Sequence, residues 1–356
     1  MTDTKEPLRG EPSCVELTRS DPSAPGLARR RCGRGWRYLG PDGRPLADPD
    51  EVARIKALVI PPAWTDVWIC PDPSGHIQAV GVDAAGRRQY LYHSTWREQR
   101  DREKHDRVLD LAECLPAVRE RVGADLARRG FPRERVLAAG LRLIDLGFFR
   151  IGGEEYAAEN GTYGVATVLR EHVTCRRDEI VFEYPAKGSK ERHQSIAEEA
   201  VRKVVTGLKR RRDDGPELLA YRTPDGWHDV TTTDVNEYVR EVTGGDFSAK
   251  DFRTWQATVL AAVGLAVSTA AAGTEARRKM AVSRVVKEVA SYLGNTPAVA
   301  RASYIDPRVI ELYERGKTIS PALTELGVDT ETGELATQGP VEEAVLKLLR
   351  EAQAGR

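Results

Sequence analysis

No pair among the five cysteines (Cys14, Cys32, Cys70, Cys114 and Cys175) has the spacing of a metal finger, and the six histidines are equally dispersed. That scatter argues against a structural zinc site, and no metal is expected. The odd cysteine number, with no secretory leader ahead of it, predicts reduced thiols in a cytosolic protein. Charge of one sign is not in excess either. Basic and acidic residues balance at 54 each over 356 positions, so whole-chain charge says nothing about partners. Long hydrophobic runs are also missing. The longest, residues 257–273, is rich in alanine and contains Ser268 and Thr269. It is too short and too weakly apolar to span a bilayer and predicts a buried helix, so no membrane partner is expected. Internal repeats are absent.

What the chain has is local asymmetry. Residues 87–97 (RRQYLYHSTWR) are basic and aromatic, and residues 329–343 are acidic, so a cationic face is compatible with zero net charge. Residues 1–28 are rich in Pro, Gly, Ser and charge and predict a disordered arm. A β-rich domain is expected over 29–100, with order starting near Gly35, an amphipathic helix over 51–58 and strands at 67–70, 76–81 and 89–92. From about Arg97 to Arg129, Val108, Leu109, Leu111, Leu115 and Val118 fall at helical spacing, and a second helix is predicted over 133–146. Short strands are predicted at 165–169, 179–184 and 190–194, the last two flanking a hairpin loop at 185–189. The rest reads mainly as helix, ending in an acidic linker and a helix over 340–352. The length suggests two domains, and the fold class expected is α+β. It comprises a small β-rich N-terminal lobe (29–100), a mainly helical lobe with a small antiparallel sheet (101–326), and a tail over 327–356.

Five residues form an ordered set on this frame. Arg150 follows two phenylalanines and precedes Ile151-Gly152-Gly153; Lys187 sits on the hairpin tip; Arg253 opens a helix that continues into the apolar run. Asn295 follows Gly294, and Tyr304 lies beyond Thr296-Pro297, where Pro297 opens a short helix. Together they fit attack by a phenol on a phosphodiester. Guanidinium groups match the charge that gathers on the non-bridging oxygens and stay protonated. A lysine among arginines can protonate the leaving 5′ oxygen. A phenol, with an ordinary pKa of about 10, needs cationic neighbours to ionise. Singly, each has an ordinary reading: a snorkelling arginine, a solvated hairpin lysine, a helix cap, a turn asparagine, a core tyrosine. Order, spacing and flanks shift the odds.

Those flanks carry a resemblance. Phe149-Arg150-Ile151-Gly152 with Tyr156, Glu159-Asn160-Gly161-Thr162-Tyr163-Gly164, Lys187-Gly188, Lys250-Asp251-Phe252-Arg253-Thr254-Trp255, and Gly294-Asn295-Thr296-Pro297 with Tyr304 resemble the poxvirus-type and bacterial type IB DNA topoisomerases over roughly residues 36–316. The resemblance implies relaxation of supercoiled duplex DNA through a 3′-phosphotyrosyl link to Tyr304, strand rotation and resealing, without ATP, metal or other cofactor. Arg150 and Arg253 would contact non-bridging oxygens, and Lys187 would act as general acid. Asn295 stands where the family often has His; an amide can still donate a neutral hydrogen bond but cannot titrate. By the same analogy Tyr156 and Lys250 support DNA near the cleavage point, and Arg87, Gln89, Tyr90, Tyr92 and His93 lie in the major groove or on phosphates. Two lobes are expected to form a clamp around duplex DNA, in a monomer of the cytoplasm associated with the nucleoid. The alternatives are a tyrosine recombinase, against which stands Asp251 where recombinases commonly carry His two residues before the second arginine, and a non-catalytic DNA-binding protein, which would not need the catalytic set.

Overall fold

The structure, a computed structural model, describes residues 16–147, 149–186, 190–268, 274–326 and 338–355. The chain divides into two compact units, residues 1–104 and 105–356.

The first unit is a five-stranded antiparallel sheet of order β2-β1-β3-β4-β5, built from β1 (Leu27–Cys32), β2 (Gly35–Leu39), β3 (Thr65–Ile69), β4 (Ile77–Val82) and β5 (Arg88–Tyr92). Period-two alternation puts Leu27, Ile69 and Ala79 on the face that packs against Ile55 of α1 (Pro49–Ala57). Helix α1 starts where Asp48 accepts a hydrogen bond from the Asp50 amide at 2.9 Å, with Pro49 in the first turn. Order begins earlier than the sequence suggests. β1 reads LARRRC, a composition that looks like a charged arm, yet it pairs with β2 and β3 on either side.

Helix α2 (Ser94–Leu126) runs from the first unit into the second and buries Val108, Leu109, Leu111, Leu115, Val118 and Val122 on one stripe. The second unit adds α3 (Arg133–Asp145), α4 (Glu154–Asn160), the antiparallel sheet β6 (Val173–Cys175), β7 (Ile180–Ala186) and β8 (Lys190–Ile196), α5 (Glu199–Lys209), the hairpin β9 (Ala220–Thr223) and β10 (Gly226–Asp229), and α6 (Thr232–Thr243). It closes with α7 (Ala249–Val267), α8 (Glu275–Leu293), α9 (Pro297–Ser303), α10 (Pro307–Glu314), α11 (Ser320–Leu326) and α12 (Pro340–Ala354). The architecture is α+β. No helix among the described residues is long and apolar enough to cross a membrane.

Two local readings need correction. Residues 165–169 are not a strand. The Val165 and Ala166 amides donate to the Arg150 and Ile151 carbonyls at 2.8 and 2.7 Å, and the Gly164 amide to Thr167 Oγ1 at 3.1 Å, so the apolar run is spent on a turn. The β9–β10 hairpin falls in a stretch read as helix; its register closes Thr223 on Gly226 around Pro224-Asp225. Helix α12 docks on α7: Val345 and Leu349 are buried, and Glu342 accepts from the Trp255 indole at 2.8 Å and from Arg119 at 2.6 Å.

Candidate active site

Phe149 is fully buried, edge-on to Phe182 with ring centres 4.8 Å apart and stacked on Tyr184 at 5.9 Å, which ties the following residue to β7. Gly152 then turns the chain at φ 83°, and a Cβ there would sit 2.9 Å from Gly164 Cα. Gly164 is equally constrained, because a Cβ on it would collide with the Gly152 backbone. The two glycines let the strands of chain cross at contact distance. Arg150 is left with its backbone pinned and its Nη2 donating to the Gly294 carbonyl at 3.0 Å and to Asn295 Oδ1.

The receiving turn is set by the end of α8. Gly294 is left-handed (φ 66°), the Asn295 amide donates to Ala290 O at 2.8 Å and the Gly294 amide to Ser291 O at 3.1 Å, a Schellman arrangement. Thr296 caps α9 by accepting from the Val299 amide at 3.3 Å, and Pro297 occupies the first turn. One short helix later, Tyr304 terminates α9. Its carbonyl accepts from Thr258 Oγ1 at 3.3 Å, while the same hydroxyl oxygen accepts from the Asp306 amide at 3.1 Å. Thr258 thus fastens the tyrosine segment to α7. Asp306 and the buried Arg308 pair at 2.6 Å, and Arg308 reaches Asp106 of α2 at 2.7 Å.

Arg253 enters from α7, whose start is fixed by a reciprocal cap. Asp251 accepts from the Ser248 amide at 2.9 Å and from Arg107 of α2 at 2.9 Å. Arg253 is 4% exposed, donates to the Phe149 carbonyl at 3.1 Å and the Leu293 carbonyl at 3.0 Å, and lies 5.7 Å from the centre of the Tyr304 ring. Burial, then the nearby Arg150 charge, push its guanidinium down to about 10, so it is still a cation at neutral pH. Burial of Phe252 and Trp255 beside it, worth ~1.5–3 kcal/mol each, is what holds an unpaired charge there.

A third arginine joins them that the sequence reading passed over. Arg192 on β8 donates to the Tyr292 carbonyl at 2.8 Å and faces Gly294, where a Cβ would lie 3.1 Å from its guanidinium carbon. Burial, with a contribution from Arg150, holds it below the ordinary arginine range. In sequence it is one charge in KERHQ; only the fold shows that this strand residue meets the end of α8. None of Arg150, Arg192 and Arg253 is ion-paired among the described residues. Asn295 Nδ2 is buried and has no hydrogen-bond partner there. Beside this cluster opens a cavity of about 290 Å³, lined among others by Arg150, Gly153, Tyr163, Lys250, Arg253 and Tyr304.

The fold therefore brings Arg150, Arg253, Asn295 and Tyr304 together, with Lys250 at the cavity wall. Lys187 and the Tyr156 side chain lie outside the described residues. In the first unit, Tyr90 and Tyr92 stack at 6.1 Å and are each 40% exposed. Gln89 points the other way and donates to Asp83 at 3.0 Å, Arg87 pairs with the same carboxylate, and His93 Nδ1 accepts from the Thr95 amide. Arg88, not singled out from sequence, is the arginine that shares the tyrosines' face, 5.7 Å from the Tyr90 ring centre.

Unpaired guanidiniums around a half-buried tyrosine, in an α+β scaffold, define a site built to receive an anion. The catalytic core of eukaryotic DNA topoisomerase I matches residues 93–326, and the N-terminal domain of bacterial DNA topoisomerase IB matches residues 35–83. The chain belongs to the type IB DNA topoisomerase family and is an enzyme of that type. DNA topoisomerase 1B of Acanthamoeba polyphaga mimivirus is 28% identical over 297 residues, covering 81% of this chain and 88% of that one. DNA topoisomerase 1B of vaccinia virus (strain Copenhagen) is 22% identical over 236 residues, covering 66% and 72%.

Proposed function

We propose that this enzyme relaxes supercoiled duplex DNA by transient cleavage of one strand through Tyr304. The observation that carries the reading is the convergence of three unpaired guanidiniums on the carbonyls of Tyr292, Leu293 and Gly294 at the end of α8, with the Tyr304 ring 5.7 Å from one of them. The phenolic oxygen attacks the scissile phosphorus and gives up its proton to solvent water. A P–O bond to Tyr304 forms as the P–O5′ bond breaks, and the 5′ oxygen takes a proton from Lys187. The released 5′-hydroxyl end rotates, then attacks the same phosphorus, returning its proton to Lys187, and expels the tyrosine, whose oxygen regains a proton from water. One phosphate ester replaces another at each step, so the sequence needs neither ATP nor a metal. Arg150 and Arg253 neutralise the non-bridging oxygens, and Asn295 fixes Arg150 through Oδ1 while Nδ2 is left to donate. The β-rich unit and the catalytic unit grip the same duplex as a clamp, with Lys250 and Tyr156 near the cut.

The test is relaxation of negatively supercoiled plasmid with EDTA present and nucleotide absent, followed by denaturation with SDS. Relaxed topoisomers and a protein–DNA adduct are expected; circles left fully supercoiled, with no polypeptide on the DNA, refute the reading. Arg192→Ala should slow single-turnover cleavage and resealing alike, by roughly 10–100-fold, because it removes a charge-assisted bond to the turn that holds Asn295. Arg192→Lys should recover part of the rate; wild-type rates in the alanine variant would leave Arg192 a structural residue only.

A further inference from the structure

We infer that the solvent face of the N-terminal sheet carries a second phosphate-gripping ridge, Arg30 and Arg37, across the sheet from Tyr90 and Tyr92. The inference rests on duplex DNA as the substrate. The face follows from register, since residues directly paired across strands point the same way. Arg30 pairs with Arg37, and Ala28, two residues back on β1, pairs with Trp68 of β3. Trp68 pairs with Val80, and Val80 with Tyr90 of β5. Arg30 and Arg37 therefore share one face with Tyr90 and, by alternation, with Arg88 and Tyr92. Exposure agrees: Arg30, Arg37, Arg88, Tyr90 and Tyr92 are all exposed, while Leu27, Ile69 and Leu91 pack on the other side.

What sets this face apart is that two arginines oppose each other directly across β1 and β2. Two like charges directly opposed on neighbouring strands destabilise a sheet, and neither Arg30 nor Arg37 is ion-paired among the described residues. Other arginines of the unit are neutralised, Arg87 by Asp83 at 3.0 Å, Arg54 by Glu51 at 2.6 Å and Arg44 by Asp42 at 3.6 Å, whereas Arg31 and Arg34 also lack an ion pair among the described residues but do not oppose another arginine across the strands. Arg29, on the other face, is consumed by the carbonyls of Ile60, Pro61 and Trp64. An unneutralised pair is what an anionic partner would compensate.

Spacing selects the partner. From β2 to β5 are four interstrand steps, about 19 Å at ~4.8 Å each. The major groove is ~12 Å wide and bordered by two phosphate ridges. With the aromatic edge at one border, arginines at the far edge can reach the other. The ridge reads no bases; it fixes the duplex against the sheet.

The experiment is the salt dependence of duplex binding by the full-length Arg30→Ala/Arg37→Ala protein, read by fluorescence anisotropy, beside its single-turnover cleavage rate at saturating protein. Losing two phosphate contacts should lower the slope of log K against log salt by about 2 and weaken binding roughly tenfold near 0.15 M salt, alike for unrelated sequences. Cleavage at saturation should stay at the wild-type rate, and Arg30→Lys/Arg37→Lys should restore the slope. If wild type binds and relaxes DNA but the alanine variant keeps its slope and affinity, the ridge alone is refuted. If wild type neither binds duplex nor relaxes plasmid, the substrate reading falls and the ridge with it.

Discussion

A Tyr304→Phe protein is expected to bind duplex DNA as tightly as wild type and to leave no polypeptide on it after denaturation. Phenylalanine keeps the ring that sits 5.7 Å from the Arg253 guanidinium and the backbone that Thr258 holds, so the fold and the charge cluster survive. Only the oxygen is lost, and with it the bond that the proposed reaction forms; adduct should drop below about 10⁻⁴ of wild type. The structure also says why other phenols near the arginines do not substitute. Burial pushes Tyr184 up to about 12 and raises Tyr292 as well, and the Tyr292 hydroxyl is already donating to the Leu146 carbonyl at 3.2 Å. Tyr163 is the instructive rival, because it lines the same cavity. Its ring meets His172 edge-on at 4.5 Å, and its amide is tied to Pro185 O at 2.9 Å. Wild-type adduct levels from Tyr304→Phe, with the linkage mapped to Tyr163, would overturn the assignment.

How far the site could be read from the chain depended on whether a residue's role was local. Asp251 as the reciprocal partner of Ser248, and Pro297 after a capping Thr296, are signals within a few positions, and the helices carrying Arg253 and leading to Tyr304 form where those signals stand. Gly152 was legible as a turn, but not its collision partner Gly164, twelve positions on; that crossing also turns the strand-like run 165–169 into a bend. Arg192 was invisible for the same reason at longer range. Nothing in a strand predicts that its arginine will meet a helix end 100 residues later. On the N-terminal sheet, alternation alone decides that Gln89 faces Asp83 while Arg88 faces solvent, and a register error of one residue exchanges them. Composition placed the first ordered residue too late, because three arginines in β1 hide a strand whose pairing depends on partners on both sides.

Arg253→Lys should lower the single-turnover cleavage rate by about 10²-fold and Arg253→Ala by 10³-fold or more, with little change in thermal stability. The asymmetry follows from the burial. Pushing the guanidinium to about 10 from its ordinary value costs the folded state about 3 kcal/mol at neutral pH. Alanine recovers that cost but strands the Phe149 and Leu293 carbonyls, at about 1–3 kcal/mol each, so the two effects nearly cancel. Lysine keeps a charge but cannot serve both carbonyls and a phosphate from one planar fork. An uncompensated cation kept at this expense should recover it when an anion enters. Inorganic phosphate at high concentration is therefore expected to raise the melting temperature of wild type more than that of either variant, by the mass-action term RT ln(1 + [L]/Kd). Equal shifts in all three proteins, or a lysine variant that cleaves at the wild-type rate, would show that Arg253 holds up the fold without meeting the phosphate. The combination of intact stability, lost rate and lost anion response separates the two roles, because a residue needed only for packing would move stability first.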